Sequence, residues 1–248
     1  MSLRVLAYNI LKGGRGREAL LSRVICAAEP DVVILEEAYD AQVVERLAEA
    51  CALPHWGARP RHSVAFMSRL AVGRPVWRRV RWAKRAYLEI ELSDNPFTIF
   101  GVHLSAVHSN LTEQRRAYEV RALLRSVERH QSGLHLVTGD FNTLAPDERL
   151  DMRRLPPHLR AFAWVTGKTI RWVTVRMMLE AGYADVFRTT HPSGEGHTFP
   201  TWDPQVRLDY AFVPDAFKDR VVRCEVLRDT TDVRDASDHF PLVTELRT

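Results

Sequence analysis

Short apolar runs separated by polar loops make up most of the chain, and their period changes along it. Leu3–Tyr8 and Val32–Leu35 have the length and apolar density of buried strands. Arg17–Ala28 carries Leu20, Leu21, Val24 and Ile25 at helical spacing, and Tyr39–Cys51 predicts a second helix. From residue 64 the pattern shifts. Val64–Met67, Val76–Arg81, Ala86–Leu92 and Phe97–Leu104 predict consecutive strands, antiparallel where the connections are short. A long helix is predicted over roughly 111–129, with Ala117, Val120, Leu124 and Val127 on one face and no capping box at its start. Leu134–Thr138 predicts a strand ending in Gly139-Asp140, and Thr174–Ala181 a short helix stopped by Gly182. Leu208–Val213, Val221–Leu227 and Leu242–Leu246 supply the last strands.

About ten strands and three or four helices do not fit on one sheet. Two packed sheets with helices outside would bury both faces of each, which is an α/β architecture. The 248 residues contain no repeat, low-complexity tract or linker, so a single domain over 1–248 is the economical reading. The least regular stretch, 146–172, carries Pro156-Pro157 and several arginines and stands out as an insertion.

Charge changes this picture. The net charge is +4, yet nine basic residues and no acid fall between Arg59 and Arg85, so the remainder is net acidic. A basic segment on an acidic body suits a polyanionic partner. The competing reading is a solvated strand face, with Val76, Val80 and Trp82 turned inward. Cys26, Cys51 and Cys224 are widely spaced and form no CxxC, which argues against a disulfide framework or structural zinc and for small buried side chains in a reducing compartment. No run of 18 apolar residues exists, which excludes a spanning helix, and the amino terminus lacks a signal-peptide pattern. A cytoplasmic monomer is the expectation.

Polar residues cluster where apolar strands end: Asn9, Glu36-Glu37, Asp140 with Asn142, and Ser237-Asp238-His239. His103 and Asp209 interrupt apolar strands. Each has an ordinary explanation. Asn9, Asp140 and Asn142 can open turns, His103 can be a satisfied core histidine, and Asp209 can pair with Arg207. Glu36 and Glu37 point to opposite faces if their strand continues, so at most one would enter a shared site. The joint pattern argues otherwise, because six separate strand ends present the same chemistry. Carboxylates gathered together repel, and a hard cation such as Mg²⁺ or Mn²⁺ among them relieves this. HExxH, a Cys/His zinc set, GxSxG and the Walker lysine are all absent.

These residues resemble the endonuclease/exonuclease/phosphatase superfamily. The matching pieces are LAYNI (6–10), DVVILEE (31–37), VHLS (102–105), TGDFN (138–142), RLDYAFV (207–213) and SDHFPL (237–242), in the family's order and across the whole chain. The resemblance implies a four-layer α-β-β-α sandwich with two central, mainly antiparallel mixed sheets, and a metal-dependent phosphoester hydrolase. It implies Glu37 as principal metal ligand, with Asn9 and Asp238 beside the Mg²⁺ or Mn²⁺. Glu36 stands where the family commonly has glutamine. Asp140 would orient or deprotonate the attacking water, Asn142 would hold a phosphate oxygen, His103 would contact the phosphate, and His239 with Asp209 would form a histidine–carboxylate dyad; either Asp140 or the carboxylate-oriented His239 would serve as the base. The apurinic endonucleases carry an aspartate where this chain has Leu11, a departure from that branch.

Three functions follow. The first is a nuclease or phosphodiesterase on nucleic acid, motivated by the basic segment with Trp77 and Trp82. The second is hydrolysis of a lipid or inositol-type phosphate, with Phe162, Trp164 and Trp172 near the insertion touching a headgroup or membrane surface. The third is a non-catalytic phosphate-binding module, which the intact polar set argues against.

Overall fold

The structure, a computed structural model, describes residues 2–79, 86–93, 97–106, 109–128, 133–146, 148 and 172–248. Most of the insertion at 146–172, including Phe162 and Trp164, and the tip of the basic segment, including Trp82, lie outside them.

Twelve strands among the described residues form two six-stranded sheets. The first has the order β11-β12-β1-β2-β4-β3, built from β1 (Ser2–Asn9), β2 (Val32–Glu36), β3 (His55–Gly57), β4 (Val64–Ser68), β11 (Val221–Val226) and β12 (Leu242–Arg247). The second has the order β5-β6-β7-β8-β10-β9, built from β5 (Val76–Arg79), β6 (Ala86–Glu91), β7 (Thr98–His103), β8 (His135–Asp140), β9 (Tyr183–Asp185) and β10 (Asp209–Pro214). Only β1–β2 and β7–β8 run parallel, so both sheets are mixed and mainly antiparallel.

Side-chain alternation sorts the apolar residues into three layers. Leu3 and Val5 of β1, Val32 and Ile34 of β2, Ile99 of β7, Leu136 of β8 and Ala211 of β10 fill the space between the sheets. The alternate residues Leu6, Tyr8, Val33 and Leu35 face outward and meet helices α1 (Glu18–Ala27), α2 (Ala41–Ala50) and, further along, α6 (Val233–Ala236). Phe100, Val102, Val137, Tyr210 and Phe212 face the other way, under α3 (Asn110–Val127) and α4 (Thr174–Glu180). A further short helix, α5 (Val186–Thr190), follows β9 and turns Val186 and Phe187 into the layer between the sheets. The four-layer expectation holds, because strands apolar on both faces need cover on both sides.

The cysteines correct their sequence reading. Cys26 at the end of α1 and Cys51 just after α2 form a disulfide, with Cα atoms 5.3 Å apart, and Cys26 is exposed. Packing of α1 on α2 unites positions that their separation along the chain disguised. Cys224 alone is a buried free thiol, as expected. Among the described residues no helix is long and apolar enough to cross a membrane.

Candidate active site

The same alternation that builds the core carries polar residues into the space between the sheets at one rim. Counting on from Val5 and Ala7 along β1 places Asn9 inward, and counting on from Ile34 along β2 places Glu36 inward beside it, where the two are register partners. In the second sheet, His103 pairs in register with Asp140, and Asp140 with Asp209, so three strands present a lateral row. All five side chains are buried. The two sheets touch here directly: Asn9 Nδ2 donates to Asp140 Oδ2 at 3.1 Å.

Asp140 is the hub. It accepts from the Asn142 backbone N–H at 2.8 Å and from Asn142 Nδ2 at 2.7 Å, and His103 Nε2 lies 3.8 Å from its Oδ2. Asn142 holds this position with a φ of 52°, a left-handed conformation that asparagine tolerates better than most residues. Gly139 precedes the hub at φ 135°, and a Cβ there would come 2.1 Å from the Val102 carbonyl oxygen and 2.8 Å from Glu36 Oε1. The glycine of GDFN is therefore a close-approach position between the sheets.

Opposite, the segment before β12 delivers His239, whose Nδ1 meets Asp209 Oδ2 at 2.8 Å. Asp209 thus pairs with His239. Arg207 is taken up elsewhere, by a bidentate contact to Asp185 and a bond to Glu148. Ser237 fastens this segment to β1: its hydroxyl donates to the Asn9 carbonyl at 2.6 Å and accepts from the His239 N–H at 3.3 Å. Sequence reasoning gives Ser237 no role of its own; its place two residues before a buried histidine is the signal for it.

Glu36 corrects the reading that only one of the two glutamates enters the site. The strand does not continue through Glu37, which takes a φ of 56° and turns the chain. Glu36 is therefore buried beneath the site, and among the described residues neither of its carboxyl oxygens has a hydrogen-bond partner. Glu37 stands half-buried at the rim, accepting the Lys12 N–H at 2.6 Å.

Electrostatics follow from this crowding. Burial, then Asp209 and Asp140, push Glu36 well above the usual carboxylate range. Burial lifts Asp140 to about 7, against the lowering effect of His239. Burial would lower His239, but Asp209, Asp140 and Asp238 outweigh it and raise it to about 10. Asp238 is raised by burial and by Glu37, against the lowering effect of His239.

All eight sequence-chosen residues, Asn9, Glu37, His103, Asp140, Asn142, Asp209, Asp238 and His239, lie in this rim. Among the described residues no three His, Cys, Asp or Glu side chains form a ready metal cage. Mg²⁺ does not require one, since it is commonly held by one or two carboxylates together with waters and substrate phosphates. The oxygen donors Glu37 and Asp238, with the Asn9 amide nearby, fit such a cation in kind.

Trp77, the described tryptophan of the basic segment, is held against the sheet. Its Nε1 donates to the Val64 carbonyl at 2.9 Å, its ring packs on Phe66, and the Arg59 guanidinium lies 4.6 Å from its centroid. It is partly buried, with its indole N–H bonded to the sheet and the Arg59 guanidinium over its ring. Trp172 packs partly buried against Leu144, Val206 and Leu208.

Comparison with known proteins agrees with this architecture. The sequence pattern of the Endonuclease/Exonuclease/phosphatase family matches residues 6–239, and the chain belongs to that family, whose members hydrolyse phosphoesters. The fold is similar to an AP endonuclease from Archaeoglobus fulgidus, with TM-score 0.73, 15% identity, and coverage of 99% of this chain and 100% of the other. It is also similar to the 3' phosphatase NExo from Neisseria bound to product DNA hairpin, with TM-score 0.74, 17% identity, and the same coverage. An endonuclease/exonuclease/phosphatase from Beutenbergia cavernae has TM-score 0.69 and 22% identity, covering 99% of this chain and 71% of that one. A search of curated protein sequences found no match.

Proposed function

We propose that this chain is a divalent cation-dependent phosphodiesterase that acts on nucleic acid by in-line attack of water on phosphorus. The observation that carries the nucleic-acid reading is where the described cations of the basic segment lie. Arg59, Arg61 and His62 immediately precede β4, whose first residue, Val64, pairs with Glu36. Arg79 ends β5 opposite Ala86, at the end of the sheet that His103 occupies. Cations therefore flank the carboxylate rim, where a phosphate chain crossing it would meet them.

Glu37 and Asp238, with Asn9, would hold Mg²⁺ or Mn²⁺. When bound, the cation polarises the phosphate and offsets the charge that grows on its oxygens. The chain's own residues supply the rest. Asp140 is placed to orient the water and take its proton as the new oxygen–phosphorus bond forms and the leaving oxygen departs. His103, and the Asn142 amide on giving up its 3.3 Å bond to the Leu104 carbonyl, would serve as donors for the phosphoryl oxygens. Asp209 occupies Nδ1 of His239 and favours its protonated form, which leaves Nε2–H as a charged donor to the phosphoryl or leaving oxygen.

Labelled single- and double-stranded DNA and RNA test this. Hydrolysis should require Mg²⁺ or Mn²⁺, stop with EDTA, and fall roughly a hundredfold or more in Asp140→Asn and in His239→Ala. Metal-dependent turnover of a lipid or inositol phosphate, with none on any nucleic acid, would overturn the assignment.

A further inference from the structure

One cation beside the rim is spent on backbone. Arg17 is half-buried just before α1, and among the described residues its side chain is taken up by carbonyls: Nη2 donates to Ile10 at 3.0 Å and to Leu11, and Nη1 donates to Ala236. A guanidinium presents its N–H donors in a rigid fork, so it can hold several acceptors in one set geometry.

The peptides those carbonyls belong to give the fork its meaning. In a trans peptide the C=O and the N–H that follows point opposite ways. The Ile10 carbonyl shares its peptide with the Leu11 N–H, which donates to Asn9 Oδ1 at 3.0 Å. The Leu11 carbonyl shares its peptide with the Lys12 N–H, which donates to Glu37 Oε2 at 2.6 Å. Both peptides are trans. The third acceptor, Ala236, lies two residues before Asp238. One side chain therefore grips the far side of the two peptides that hold Asn9 and Glu37, and the start of the segment that delivers Asp238. Asn9 Oδ1 keeps a second lone pair, and Glu37 a second oxygen, with which to meet a cation.

The backbone here needs such a grip. Leu11 and Lys12 both have a φ of 50°, in the left-handed region that residues other than glycine rarely adopt. Conformations of this kind persist only where their surroundings enforce them. We propose that Arg17 is the positioning residue of the cation site: through the peptides after Ile10, Leu11 and Ala236 it sets Asn9, Glu37 and Asp238 in place relative to one another. This rests on the reading of those three residues as holders of Mg²⁺ or Mn²⁺, and it is independent of the substrate.

A second tie between the same elements supplies the control. Arg23 of α1 donates from Nε to Asp232 Oδ2 at 2.6 Å, just before α6. That bond joins α1 to α6 without touching a peptide of the site. Mn²⁺ titrated against the protein without substrate, with the free ion followed by electron paramagnetic resonance, reads affinity directly. Arg17→Met, which keeps the length and removes every donor, should bind Mn²⁺ about tenfold to a hundredfold more weakly than the native protein, the usual effect of removing a ligand's partner. Arg17→Lys, a point charge in place of the fork, should fall between the two. Arg23→Gln should match the native protein. Native affinity in folded Arg17→Met overturns the positioning role and leaves the cation reading in place. If circular dichroism shows that Arg17→Met does not fold, native affinity in Arg17→Lys overturns the role in the same way. An equal loss in Arg23→Gln, or failure of both Arg17 variants to fold, assigns Arg17 to the packing of α1 and overturns the proposal. Absence of Mn²⁺ binding by the native protein overturns the cation reading and the positioning with it.

Discussion

Glu36 shows how a single position can be costly to the fold while belonging to the site. Its carboxyl is buried against Asp209 and Asp140 and stays neutral in the folded chain at pH values where the unfolded chain ionises it. Unfolding then releases a proton, so stability falls as pH rises above about 4.5, toward a folded value well above it. Glu36→Gln keeps the shape and removes the titration. In EDTA, the variant should be more stable than the native protein at pH 8, and the difference should vanish by pH 4. Urea unfolding at several pH values would show this, and parallel curves for the two proteins would refute it. The sequence singled out Glu36 as a departure from the family's glutamine. What it did not reveal is the turn at Glu37, because alternation alone predicts a strand that runs on and sends the two carboxyls apart.

The elements around the site are locked by buried polar junctions. Ser109 caps α3, accepting from the Thr112 N–H at 3.2 Å, and this start was disguised by Leu111, an apolar residue that remains exposed. One turn in, Glu113 is buried and accepts from Arg116, the Thr143 hydroxyl, the Val173 and Thr174 N–H groups, and the Thr174 hydroxyl. It thereby joins α3, the loop after Asp140 and the start of α4. Although burial raises it, Arg116 and Thr174 hold it below the ordinary carboxylate range. Burial draws Arg116 down as well, yet a guanidinium stays charged at ordinary pH, so the ion pair persists. Glu113→Ala removes the carboxylate that pairs with buried Arg116 and that accepts from the Thr143 and Thr174 groups, and should cost roughly 3–5 kcal/mol. Calorimetry should register a fall in Tm of about 6 °C or more. A change within a degree or two would show that the junction is dispensable. Long elements were legible because their apolar period repeats. The three-residue strands β3 and β9 were not, since so few positions establish no period, and the Glu113 junction depends on partners far apart in sequence.

At the scale of the molecule, the two-sheet sandwich is readable from strand count and the continuous apolar runs, and the convergence of the eight candidate residues on one rim follows from their recurrence at the ends of strands and within them. The placement of cations needed the sheet topology. Arg61 precedes β4 at the rim and is exposed, with a left-handed φ of 66°. If the nucleic-acid reading holds, affinity for an oligonucleotide falls linearly in a log–log plot against salt, and Arg61→Gln lowers the slope by roughly 0.7–0.9. An unaltered slope would place Arg61 away from the phosphate path.

The Asn9–Asp140 bridge joins the two halves of the sandwich at the point where the proposed chemistry occurs, with β1 holding one partner and β8 the other. Turnover then gauges how faithfully one layer rides on its neighbour. On gentle heating, a slip of an ångström between layers would disarm the enzyme while each stayed intact, so inactivation should precede loss of the far-ultraviolet circular dichroism signal. Coincident curves would mean that the layers separate only when they melt.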